Sequence, residues 1–525
     1  MFPRLPATSA SSRAATITDV PDAGTGLLCL VTGATGYIGG RLVPELLSGG
    51  HRVRVMARRP ESLRDHPWAG DVEIVAADAS DGTSLRAAMA DVDVAYYLIH
   101  ALGTSSFEQT DRDNATTFGT AAAETGVSRL VYLGGLTPDV RPENLSAHLR
   151  SRQEVGEILL ASGVPTAVLR AAVIIGSGSA SFEMLRYLTE RLPAMITPRW
   201  VDTRIQPIAI RDVLRYLVGM AVLPATVSRS FDIGGPDVLT YRNMMQGYAR
   251  VAGLRRRIIV KVPVLTPTLS GHWVGFVTPV PNSIARPLVD SLKYEVVASE
   301  HDIATYVPDP PEGLLGFERS VELALKRIRE ADVVTRWSSA SLPGAASDPL
   351  PTDPDWAGGS LYEDVRRRDV AASADDLWTV IEGIGGDHGW YSFPLAWRVR
   401  GILDRLSGGV GLRRGRRDPD RVYVGETIDF WRVEERDPGQ LLRLRAEMRL
   451  PGLAWLELGV EPASQGGERS TYVQRALFHP RGLFGHAYWW AVAPFHGIVF
   501  GGMARNISAA AEHIKHTDSR TTTRT

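Results

Sequence analysis

Among 525 residues there is one cysteine, and the acidic and basic side chains nearly cancel, leaving a formal net charge of −1. The single Cys29 cannot close an internal disulfide, and thiolate-based metal clusters are excluded. That usage suits a reducing compartment, so a cytoplasmic location is expected. With no net charge, no global field recruits nucleic acid or an anionic membrane, and any anion binding must be local. Residues 1–26 are rich in Ser, Ala and Thr and lack the apolar core of a signal peptide, so a disordered tail is expected. Arg4 and Arg13 give it a faint transit-peptide look, which Asp19 and Asp22 oppose. Charge is also missing from Gly482 to Ala504, long enough to raise a transmembrane span. Its glycines, Pro494, His486 and His496 predict instead a buried helix with an irregular lead-in and no transmembrane segment.

What is present implies more than one core, because a chain of this length exceeds what one compact core holds. The first 330 residues alternate short apolar runs with helical stretches, as in a parallel sheet covered on both faces. Strands are expected at 27–32, 51–57, 72–77, 94–100, 129–135 and 165–174, and helices at 37–48, 107–125 and 149–162. The fold class is therefore α/β, a doubly wound parallel sheet, with residues 175–330 covering the carboxyl ends of the strands. A Pro- and Ser-rich stretch forms a linker over 333–359. Beyond it, a helix near 375–383, alternating strand-like segments and a final helix starting near Pro494 make an α+β second domain over 360–515, followed by a tail over 516–525.

Directly after the first strand, VTGATGYIGG places Gly33, Gly36 and Gly39 at the opening of a helix. Such spacing permits a tight turn, lets backbone approach a pyrophosphate, and packs helix closely on strand, the pattern of a dinucleotide-binding Rossmann unit. Thr35, Tyr37 and Ile38 complete the turn. The second strand ends in MARRP, without the acid that would hold a free ribose 2′-hydroxyl; Arg58 and Arg59 would pair with a 2′-phosphate, which favours NADP(H). Asp78 and Ala79 after the third strand, Leu98, Ile99 and His100 ending the fourth, and Ala172 and Val173 ending the sixth are expected along the cofactor path.

Through TGATGYIG, ARRP, RLVYLGGL and LRAAVIIG, residues 27 to about 330 resemble the atypical, NmrA-like short-chain dehydrogenase/reductases. The resemblance implies NAD(P) binding and hydride transfer. Where enzymatic members carry Ser, this chain has Gly134 and Gly135; where they carry Tyr and Lys, it has His148 and Arg152. Four residues apart on a helix, these two share a face. An imidazolium with a reference pKa of roughly 6.5 donates protons near neutrality, and a permanently charged guanidinium can hold the nicotinamide ribose. Catalysis by His148 and Arg152 and a solvated helix start that touches only cofactor are both open at this point.

Residues 360–515 resemble a domain of unknown function found behind such cofactor-binding domains, and more loosely the START or polyketide-cyclase helix-grip fold. That likeness implies an apolar cavity, which Trp390, Trp397, Trp431, Trp455, Trp489 and Trp490 could line, although core packing explains most tryptophans. An arginine-rich stretch from Arg398 to Arg421 could grip an anion or form a solvated surface. His388 lacks a paired base and any metal-ligand spacing, and no metal site is expected. The functional expectation is an NADP(H)-dependent oxidoreductase of a small hydrophobic carbonyl or quinone-like molecule, with a non-enzymatic cofactor sensor as its rival and no role for nucleic acid.

Overall fold

The computed structural model describes residues 26–101, 106–138, 140–262, 277–334, 353–354, 359–385, 390–391, 422–448, 450–462 and 469–522. Trp397, His388, the arginine-rich stretch, residues 1–25 of the first tail and residues 523–525 of the last lie outside these residues. The first domain begins with strands β1 (Leu28–Thr32), β2 (Arg52–Ala57), β3 (Glu73–Ala76), β4 (Val94–Tyr97), β5 (Arg129–Gly135) and β6 (Thr166–Ala171). They alternate with helices α1 (Tyr37–Ser48), α2 (Gly82–Ala88), α3 (Phe107–Thr125) and α4 (Ala147–Leu160). The chain continues through β7 (Val173–Ile175), α5 (Ala180–Arg191), β8 (Ala194–Thr197), β9 (Arg204–Ile205), β10 (Pro207–Ala209), α6 (Ile210–Gly219) and β11 (Arg229–Ile233). It ends with β12 (Leu239–Thr240), α7 (Tyr241–Val251), β13 (Ile258–Lys261), α8 (Asn282–Ser291) and α9 (Phe317–Val334).

The main sheet has the order β11-β6-β5-β4-β1-β2-β3 and is parallel throughout. All five residues of β1 are buried because the sheet is covered twice. Cys29 and Val31 enter the core under α1 and α6, while Leu28 and Leu30 enter the core under α2, α3 and α4. Burial beside Asp93 pushes the Cys29 thiol up to about 12, so it stays protonated and inert. A third core gathers α5, α7, α8 and α9 over the carboxyl ends of the strands.

The strand expected over 94–100 stops at Tyr97 and the helix expected over 149–162 runs from Ala147 to Leu160; two larger expectations for this domain also change. The strand expected over 165–174 divides at Ala172: β6 stays in the sheet, and β7 leaves it to pair with β10, Val173 opposite Pro207. The seventh strand, β11, escapes a reading by apolar runs because Arg229 and Asp232 interrupt it. Those charges are satisfied at the sheet edge, Arg170 with Asp232 at 2.6 Å and Arg229 with both Glu300 and Asp302.

The second domain comprises β14 (Tyr362–Val370), α10 (Ala374–Glu382), β15 (Thr427–Ile428), β16 (Trp431–Asp437), β17 (Leu441–Ala446), β18 (Gly452–Pro462), β19 (Ser470–Pro480) and α11 (Gly482–Thr522). Its six strands form one antiparallel sheet, order β14-β19-β18-β17-β16-β15. Helices α10 and α11 bury Leu377, Ile381, Met503 and Ile507 against Leu442, Leu444, Leu456 and Leu458 of the sheet. The last helix starts at Gly482, well before Pro494, and runs into the expected tail. Pro494 is tolerated in the helix interior because it lies exposed, where water can satisfy the carbonyl that its missing N–H leaves free. Nor is this helix buried all round: Trp489 is covered, whereas Phe484 is 84% and Trp490 67% exposed. Among the described residues no helix is long and apolar enough to cross a membrane.

The described tryptophans do not line one cavity. Trp390, Phe430 and Trp431 pack together in the core; Trp455 joins Leu477 in a separate small cluster; Trp489 stacks on Tyr362. Contacts also cross between the halves. Arg41 of α1 makes a bidentate pair with Asp353 of the linker at 3.0 and 2.6 Å, and Arg481 donates to the carbonyl of Gly253.

On one face of the second sheet the side chains directly opposite one another are Glu435, Arg443, Glu457 and Arg475. Glu457 accepts from Arg443 and from Arg475, each at 2.9 Å, with all three side chains at most 5% exposed. Removing the central charge leaves Arg443 with the more exposed Glu435 and Arg475 with Glu363 at 3.8 Å, two buried guanidinium groups short of their shared carboxylate. Glu457→Gln should therefore cost about 3–5 kcal/mol in the chemical denaturation of this domain, while Glu435→Gln, at the more exposed end, should cost less than about 1 kcal/mol. Equal midpoints for the two variants would refute the burial argument.

Candidate functional site

The site is built where three backbone segments meet. Gly33 follows β1 with φ +66°, and a Cβ there would lie 2.6 Å from the carbonyl oxygen of Leu98, just past β4. A Cβ on Gly39 would lie 2.3 Å from the Gly33 oxygen, so only glycine lets α1 start this close to the turn. Thr32 ties the same ends together, donating to the Tyr96 carbonyl at 2.8 Å and accepting from the Leu98 N–H at 3.0 Å. Gly36 begins α1 without any side-chain cap. The first N–H groups of that helix, at Tyr37, Ile38 and Gly39, are thus left for an anion, and the cradle fits a pyrophosphate.

The other expected cofactor residues fall around this turn. Thr35 is exposed on it and Ile38 half-buried beneath it. Tyr37 turns its ring away: its hydroxyl is buried against Gly176, and Arg41 lies 4.4 Å over the ring, so only its backbone faces the cradle. Arg58 and Arg59 are exposed beyond β2. Asp78 is held below the usual carboxylate range by the backbone N–H and hydroxyl of Ser80, and further by Arg58. Ala79 is buried behind it. Leu98 and Ile99 are half-buried, and His100 reaches the exposed rim. Ala172 sits half-buried at the break between β6 and β7, while Val173 is buried in the β7–β10 pair and faces packing partners.

Helix α4 brings the second group of residues to the same place. Ser146 caps it, its hydroxyl accepting from the Leu149 N–H at 3.3 Å, which starts the helix at Ala147 and sets His148 and Arg152 on its inner side. Arg152 donates to the Leu133 carbonyl of β5 at 3.0 Å and lies 5.5 Å over the Tyr132 ring. The His148 ring is 6.3 Å from that of His100. Its Nδ1 is enclosed without a partner. Burial first, and the Arg152 charge second, push His148 down to about 3. The imidazolium expected from the sequence is therefore corrected: His148 is a neutral imidazole at physiological pH. Gly134 and Gly135, expected at the serine position, close β5; a Cβ on Gly134 would lie 3.0 Å from the Tyr132 ring, whereas one on Gly135 would meet only Leu149 and Arg152 at 3.7 and 3.9 Å, so packing does not forbid a side chain there.

One contributor was missed. Asp111 of α3, 3% exposed, accepts from the Ala101 N–H at 2.7 Å and the Ser151 hydroxyl at 2.9 Å, fixing the segment after β4 to α4. Its carboxyl is raised by burial, against the lowering effect of those bonds and of Arg152. The available signal was a carboxylate on the stripe Asp111, Ala115, Phe118 and Ala122, the buried side of an otherwise polar helix.

Residues 33–181 match a protein-family model described as NAD(P)H-binding. The first domain is an NAD(P)-binding Rossmann domain. Residues 356–503 match the family described as a protein of unknown function, DUF2867. An uncharacterized protein of Mycobacterium tuberculosis is 28% identical over 221 residues, 42% of this chain and 23% of that one. This chain thus spans about a quarter of that relative's length. The ceramide reductase of Caulobacter vibrioides is 28% identical over 235 residues, 44% of this chain and 72% of the other. The solved triphenylmethane reductase of a Citrobacter species, complexed with NADP(H), aligns with a TM-score of 0.45 at 18% identity, covering 57% of this chain and 99% of that one.

The enclosure of His148 in the Rossmann domain has a sign that can be checked. Between pH 3 and about 6.5 the unfolded chain protonates this imidazole while the folded chain does not, so stability rises with pH across that window and is flat above it. His148→Asn should remove up to about 1.4 kcal/mol per pH unit of that slope in urea denaturation. A slope identical to the parent's between pH 4 and 6 would count against the neutral imidazole.

Proposed function

We propose that this chain is an NADP(H)-dependent oxidoreductase of the atypical short-chain type, acting on a hydrophobic carbonyl or quinone-like molecule. The observation that carries the reading is the placement of Arg152 with His148 and His100 beside the glycine cradle, a fixed positive charge and two imidazoles at the carboxyl ends of β4 and β5. Bound NADPH supplies a hydride to the acceptor carbon. Arg152 offers the charge that stabilises the oxygen as it becomes negative. Neutral His148 offers its N–H as a hydrogen bond to that oxygen, and the proton that completes the alcohol comes from solvent at the rim marked by His100. The reductase name of the Caulobacter relative supports a lipid-like acceptor.

Preference for NADPH over NADH belongs to the same proposal and rests on Arg58 and Arg59, with Asp78 offsetting part of the Arg58 charge. The second domain is read as a helix-grip module that binds a hydrophobic ligand. Its support is the strand order, β14 beside β19 with the long helix α11 following the last strand. A second reading, a non-enzymatic NADP(H) sensor, is favoured by Gly135 and by the partnerless Nδ1 of His148.

Calorimetry and nicotinamide absorbance with a panel of quinones and long-chain ketones separate these readings. Arg58→Ala with Arg59→Ala should erase a preference for NADPH of about tenfold or more. His148→Ala should lower turnover by about 10²-fold with cofactor affinity unchanged, whereas Arg152→Ala should weaken both. The turnover profile should lack an inflection near pH 6.5. If NADPH binds, no acceptor is reduced and His148→Ala matches the parent throughout, the sensor reading replaces the enzyme.

A further inference from the structure

The outward side of α11 carries Leu483, Phe484, Trp490, Phe495 and Ile498, each more than half exposed. Successive members lie near one another on the helix surface, with Ala487, Ala491 and Pro494 exposed between them, so they form one continuous stripe. The opposite side is anchored. Trp489 stacks on Tyr362 at 5.0 Å and on Phe478 at 5.9 Å, and Met503, Ala504 and Ile507 lie in the domain core. The helix therefore cannot roll to hide the stripe without dismantling that core.

We propose that this face seats the protein on the surface of an anionic lipid bilayer. No charged residue occurs between Arg481 and Arg505, and both of these arginines are exposed. Arg505 is seven residues past Ile498 and so continues the same stripe. The pattern is an apolar band, with tryptophan and phenylalanine suited to the boundary of headgroups and acyl chains, bracketed by positive charge at both ends. A second copy of the chain fits this face poorly. From Leu483 to Ile498 the stripe is about 24 Å long, so Arg481 and Arg505 lie just beyond its two ends. Pairing two such stripes head to tail would set Arg481 against Arg505 of the other copy, and pairing them head to head would set each arginine against its own counterpart. Anionic phosphates meet both arginines favourably. With a net charge near zero the attraction is local, confined to this edge of the molecule. The inference does not depend on the cofactor or on any reaction.

The test uses the full chain and sedimentation with vesicles of phosphatidylcholine alone or mixed with phosphatidylglycerol. The chain should partition onto the mixed vesicles. Phe484→Ser, Trp490→Ser and Phe495→Ser combined should reduce partitioning by at least about tenfold, with circular dichroism and NADPH affinity unchanged. Arg481→Glu with Arg505→Glu should remove the preference for the anionic vesicles, about tenfold. Should the serine variant misfold, acyl-chain bromine quenching gives an independent measurement: fluorescence of the parent should be quenched, and that of Trp490→Phe much less. A chain that stays in the supernatant with both vesicle types overturns the proposal. Ultracentrifugation then identifies what covers the face: a dimer dissolved by the serine substitutions means a second copy, and a monomer with Trp490 shielded from aqueous quencher means another part of the same chain.

Discussion

A side chain cannot be added where Gly33 passes the carbonyl of Leu98, and the first domain is arranged around that contact. Because β1 and β4 end within touching distance, Thr32 can bond to both Tyr96 and Leu98. Because Gly39 also lacks a side chain, α1 leaves the turn directly and points its unsatisfied N–H groups across the strand ends. His100 is carried to the rim by the segment that Gly33 touches, and α4 brings His148 beside it. A bulkier residue at either glycine would separate the anion cradle from the imidazoles, which are useful only when adjacent.

Burial then decides what the polar groups near the cradle can do. His148 loses its ability to hold a proton at physiological pH, and Asp111 is pushed the opposite way, towards its neutral form. Arg152 keeps its charge because guanidinium is too basic to be neutralised in a protein. Around α4 the field is thus set by Arg152 beside His148 and Asp111, both driven towards neutrality. In the second domain the same cost of burying charge is met differently, by alternating signs across adjacent strands so that Glu457 serves two arginines at once.

Much of the first domain was legible because its signals are local. The 3.6-residue period gave α1 and α3 their observed limits, and the glycine spacing placed the cradle. The β11 strand was hidden because its charges are neutralised by Arg170, Glu300 and Asp302, partners distant in sequence. The exposure of α11 was unreadable for a related reason. A helix apolar on all sides has no periodic contrast to say which side meets the sheet; the stacking of Trp489 on Tyr362 and the burial of Met503 and Ile507 settle it. The protonation state of His148 likewise depends on enclosure by several segments, which residue spacing cannot report.

The pair between Arg41 and Asp353 joins the linker to the helix that opens at the cradle. With Arg41 only 3% exposed and Asp353 11%, this is a fastening rather than a passing surface contact. It gives the linker a point of attachment on α1, six residues ahead of Gly359. Thermodynamic reciprocity follows from that location. Any difference in the fastening between the cofactor-free and cofactor-loaded forms of α1 must return, in equal measure, as a difference in cofactor affinity between the fastened and released linker. Where such a difference exists, the linker enters the energetics of the glycine cradle, although no residue of it belongs to the dinucleotide motif.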